Sequence, residues 1–132
     1  MIALLLLGHA QSPAPSELEG LWRNPIGSAI IRVAPCARAL CGTVVWASER
    51  GKREASTSTS HVVGTIVLTG VKPVSDNRWS GELFIPDDNI HVGARLELLG
   101  KNRLKLTGCA VLRLFCRSQI WTRTDEPLPR PG

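Results

Sequence analysis

The rhythm of the apolar residues constrains this chain most. From Glu19 to Thr124 they come in short runs, often alternating with polar residues, and Gly, Pro, Asn or Asp breaks the runs about every ten positions. A period of two sends successive side chains to opposite sides of an extended backbone, so the pattern specifies strands. No segment carries the apolar stripe of a long amphipathic helix. With 132 residues there is material for one core and not for two.

Eight strands are expected. The first is Glu19 to Arg23 around Trp22, followed by the turn Asn24 to Gly27 and by Ala29 to Ala34, which Pro35 should end. A third opens at Gly42, with Thr43, Val45 and Ala47 on one face and Val44 and Trp46 on the other. Glu49 to His61 is polar, carries the basic cluster Arg50, Lys52 and Arg53, and reads as a loop. Val62 to Val71 is the fourth strand and Lys72 to Asn77 the next turn. Arg78 to Ile85 sets Trp79, Gly81, Leu83 and Ile85 against Arg78, Ser80, Glu82 and Phe84, the alternation of a half-buried strand. Past the turn Pro86 to Asn89, the residues Val92, Ala94, Leu96 and Leu98 share a face; Leu99 to Asn102 then leads into Arg103 to Cys109. Ala110 to Cys116 is apolar without alternation and reads as an irregular connection or a short helical turn, before the last strand, Ser118 to Thr124.

Eight antiparallel strands on so short a chain close as an up-and-down barrel or stack as a two-sheet sandwich, and sequential hairpins favour the barrel. Such a barrel is just wide enough to be filled by side chains or to hold one small ligand. The inward positions, and hence the candidate ligand contacts, are Ile31, Val33, Val45, Trp79, Leu83, Leu96, Leu106 and Trp121.

Residues 1–10, MIALLLLGHA, hold an apolar run too short to span a bilayer. With Gly8 and Ala10 ahead of Gln11-Ser12-Pro13, they resemble the back end of a secretory signal lacking its basic start. Cleavage after Ala10 is expected; the other reading is a buried N-terminal strand. Residues 11–18 then form a flexible lead, 19–124 the barrel domain and 125–132 a flexible tail. A periplasmic or secreted location also suits the even set Cys36, Cys41, Cys109 and Cys116 in a short chain. Of the three connectivities, spacing favours Cys36 with Cys41, clipping a hairpin loop, and Cys109 with Cys116. Paired C-x2-C spacing is absent, so no structural metal is expected.

Sixteen Lys and Arg against eleven Asp and Glu leave a net charge of +5, spread singly rather than in blocks. Nucleic-acid binding through Arg32, Arg38 and Trp46, or through Arg103, Lys105, Arg113 and Arg117, lacks a stacking platform, because the chain has no Tyr and two Phe. Catalysis is also not expected. Most acids sit in turns and tails, and Ser60, His61 and Asp87 lack the nucleophile elbow that would make them a triad. No cofactor is expected, and the partners that fit are a small hydrophobic ligand or an envelope protein.

Several segments in order, Gly20-Leu21-Trp22, Val33-Ala34-Pro35-Cys36, Leu40-Cys41-Gly42-Thr43-Val44-Val45-Trp46, Asn77-Arg78-Trp79-Ser80-Gly81, Leu106-Thr107-Gly108-Cys109 and Gln119-Ile120-Trp121-Thr122-Arg123, resemble the bacterial domain-of-unknown-function family 2147. The resemblance covers roughly residues 18 to 124. It implies a small exported protein with a lipocalin-like (calycin-like) barrel and no settled activity. It also implies that Gly20 and Trp22 are the G-x-W of the first strand, and that Arg123 packs on Trp22 to close the barrel base. The chain departs from its relatives in the loop 49–61, which is shorter and lacks Asp, Asn and Pro, and at Cys116, where many have Gly.

Overall fold

The computed structural model describes residues 16–55, 62–86, 89–110 and 114–124. The expected signal remnant and tail, and most of the lead, lie outside the described residues. Eight strands run in chain order: β1 (Gly20–Arg23), β2 (Ala29–Cys36), β3 (Ala39–Ala47), β4 (Ile66–Ser75), β5 (Arg78–Ile85), β6 (Ile90–Leu98), β7 (Arg103–Ala110) and β8 (Phe115–Arg123). Each pairs antiparallel with the next, and β1 pairs with β8 at two positions, Trp22 opposite Arg123 and Arg23 opposite Thr122, so the sheet closes on itself as a barrel.

Several boundaries differ from expectation, among them the start of β3 at Ala39 rather than Gly42. β2 runs through Pro35 to Cys36, because Pro35 lies opposite Leu40 just before the hairpin turn, where a missing N–H costs little. The segment Val62 to Thr65 is a turn rather than strand: Gly64 has φ +99°, and the Thr65 N–H donates to the Val62 carbonyl at 3.0 Å. Beyond it β4 continues to Ser75 through two register shifts, the first next to Gly70 at φ +61°. Lastly, β8 starts at Phe115, where it faces Ala110, and not at Ser118.

The expected loop after β3 begins with a short helix, α1 (Glu49–Ala55). The Ser48 hydroxyl caps it by accepting the Gly51 N–H at 3.0 Å, and Lys52 pairs with Glu49 at 3.2 Å. Gly51 abuts the β1–β2 turn so closely that a Cβ there would lie 2.7 Å from the Ser28 carbonyl oxygen. Seven residues are too few to show a helical period.

One bulge changes which residues face inward. Along β2 and β3, Ile30 pairs with Trp46 but Ile31 pairs with Val44, so Val45 is an extra residue without a partner. The regular alternation in the sequence places Val45 and Ala47 on one face. In the barrel Leu40, Gly42, Val44 and Ala47 are buried, and Val45 is only half-buried.

The core runs from Leu18 and Trp22 at one end through Val33, Leu68, Val71, Leu96 and Leu104. Both disulfides form with the expected partners, Cys36 with Cys41 beside the β2–β3 turn and Cys109 with Cys116 across the start of the last hairpin.

Candidate functional site

The two ends of the barrel differ in chemistry. One is sealed. The Trp22 indole is fully buried and donates its N–H to the Leu18 carbonyl at 2.9 Å, which pulls the chain ahead of β1 across the opening. Arg123 locks this plug, its side chain donating to the carbonyls of Glu17 (2.6 Å), Glu19 (2.8 Å) and Lys101 (2.8 Å). Its Cζ stands 4.3 Å from the Trp22 ring centre. Gly20, at φ +133°, is required here, since a Cβ would come within 2.6 Å of Arg123 Nη1.

Among the described residues the other end is open. It is bounded by the β1–β2 turn, α1, Pro86, Ala110 and Leu114, and it leads into a cavity of about 850 Å³. Ile31, Val44, Ala47, Val67, Leu83 and Val92 form apolar parts of its wall. Its rim carries Ile26, Ile90, Leu114 and Phe115, all exposed, with Leu114 at 73% and Phe115 at 67%.

Polar groups on this wall are few. Asn24 is committed to its own turn: its Oδ1 accepts the N–H groups of Ser28 (2.9 Å) and Ala29 (3.1 Å), and its Nδ2 donates to the Ser28 hydroxyl at 2.8 Å. The inner face of β8 supplies Phe115, Arg117, Gln119 and Trp121, set opposite Ala110, Gly108, Leu106 and Leu104 of β7. The first three line the cavity. The Trp121 indole N–H donates to Gln119 Oε1 at 2.6 Å.

Of the eight residues expected to point inward, Ile31 and Leu83 line the cavity. Val33, Trp79, Leu96, Leu106 and Trp121 belong to the packed core. Val45 stands in neither, because of the bulge at Ile30/Ile31. The sequence reading missed Val44, Val67, Phe115, Arg117 and Gln119. The signal for the last two was present: Phe115, Arg117, Gln119 and Trp121 alternate with period two, and the cysteine pair fixes their register. Arg and Gln on an inner face invert the usual polarity and so disguise the strand.

The model of a family described as "Uncharacterized protein conserved in bacteria (DUF2147)" matches residues 20–123. The chain belongs to the DUF2147 family. This DUF2147 barrel is also similar to a solved structure from Helicobacter pylori, titled as belonging to the lipocalin family, with TM-score 0.64 and 10% identity over 83% of this chain and 84% of the other. At that identity the likeness concerns the fold, which is lipocalin-like. No curated protein matches the sequence. Among the described residues of this DUF2147 member, no helix is long and apolar enough to cross a membrane.

Proposed function

We propose that this DUF2147 protein is a non-enzymatic carrier, periplasmic or secreted, that takes a small apolar or amphipathic ligand into the open half of its barrel. The observation that carries the reading is the cavity of about 850 Å³, opening between exposed apolar side chains. Small-molecule sites are concave, mostly apolar and about 300–1,000 Å³. The sealed base prevents threading, so a ligand enters and leaves by one mouth. Export is supported by the signal-like residues 1–10 and by the pairing of all four cysteines, which persists in oxidising compartments.

Displacement of an apolar fluorescent probe by hexadecanol tests binding. Ala110 is half-buried on the cavity wall, so Ala110→Trp should obstruct the mouth and abolish binding while the protein stays folded. Equal binding by the variant, or none by the wild type, would remove the carrier reading. The second reading is an envelope interaction module, favoured by the exposed Ile26, Leu114 and Phe115. It gains if the wild type binds no amphiphile. For location, fractionation of cells expressing the natural gene should place the oxidised protein outside the cytoplasm.

A further inference from the structure

Arg117 is out of place for an apolar cavity. It lies on the inner face of β8, between Phe115 and Gln119, and lines the cavity. Its cross-strand neighbour is Gly108, which has no side chain to cover it or compete for its space. A guanidinium is always charged and offers five donors and no acceptor. Among the described residues it has no hydrogen-bond or ion-pair partner. The strand carboxylates lie two and three strands away from β8, on β6 and β5, and serve other groups: Glu97 lies 3.6 Å from Arg78, and Glu82 lies 3.5 Å from His91.

Gln119 adds to this. Because an indole N–H can only donate, its 2.6 Å contact fixes the Gln119 oxygen toward Trp121 and leaves the amide nitrogen as the free end. Asn24 is spent within its turn, and the Ser28 oxygen already accepts from it. The free side-chain hydrogen-bonding capacity that β8 presents to the cavity thus consists mainly of donors and carries one positive charge. Alternate residues on a strand are about 6.6 Å apart, so one compact group can contact both side chains.

Resting on the carrier reading, we infer that the ligand is a single-chain amphiphile with a compact anionic head, a carboxylate or a phosphate monoester, held at the mouth by Arg117 and Gln119. The chain lies along the wall of Ile31, Val44 and Val67. A cation matched to an acceptor-only head makes charge-assisted hydrogen bonds, which a neutral or cationic head forgoes.

The test is displacement of the same probe by palmitate, hexadecyl phosphate and hexadecanol, using wild type, Arg117→Met and Arg117→Lys. Met keeps bulk and removes charge, and at this exposed position the fold should persist, which circular dichroism checks. The wild type should prefer one or both anions over the alcohol by about tenfold to a hundredfold, the range expected of hydrogen bonds to a charged group. The better anion identifies the head. Arg117→Met should lose the preference but keep the alcohol, and Arg117→Lys should retain part of it. If the wild type binds alcohol and anions equally, or Arg117→Met keeps the preference, the anionic head is wrong and the carrier reading stands. If none of the three binds the wild type, both fall.

Discussion

Arg123 and Trp22 are the first and last strands' common lock: they face each other in the β1–β8 register, and the guanidinium carbon stands 4.3 Å from the centre of the indole ring. The same guanidinium donates to three carbonyls from two different segments. A single side chain thereby ties the chain before β1, the β6–β7 turn and the last strand together at the sealed end.

Arg123→Ala should therefore destabilise the barrel by about 2–3 kcal/mol, through loss of the aromatic contact and of charged hydrogen bonds. Arg123→Lys should recover little of it, because an ammonium cannot reproduce the planar fork. Gly20→Ala should cost about 1–3 kcal/mol alone, from its positive φ and its approach to Nη1. The double variant Gly20→Ala/Arg123→Ala should cost less than the sum, since the clash vanishes with the arginine. Urea unfolding midpoints across this cycle decide it, and strict additivity would contradict the geometry.

The bulge makes neighbouring valines unequal. Val44 is 3% exposed in the core cluster, while Val45 is the extra residue opposite no partner. Val44→Ala should cost about 1–2 kcal/mol and Val45→Ala about 0.5 kcal/mol or less. The reverse order in thermal or chemical denaturation would restore the unbroken alternation.

The disulfides sit at opposite ends, and their loss should read out differently. Replacing either pair with Ser should lower stability by about 2 kcal/mol, the loop-closure entropy of so short a crosslink. Only loss of Cys109–Cys116, next to Arg117 on the cavity wall, should also speed amide exchange at Phe115 to Arg117 and weaken amphiphile binding. Loss of Cys36–Cys41, beside the β2–β3 turn, should leave binding unchanged. Exchange mass spectrometry on both variants, with probe displacement in parallel, separates the two.

Sequence alone determined the strand count and the up-and-down order; it favoured the cysteine partners, and the family resemblance implied Arg123 as the closing residue against Trp22. These follow from local alternation, from turn residues at short intervals, and from motifs whose register is carried within one hairpin or one family pattern. Tertiary structure decided what faces inward at the critical places. A one-residue bulge between β2 and β3 exchanged Val45 for Val44, because parity along a strand is set by its partner and not by its own pattern. Closure of the barrel also put Leu18 and Trp22 at one end and, among the described residues, left the other unfilled. That is why Arg117, which in sequence looks like one more solvated charge on a basic chain, stands instead on the wall of a cavity.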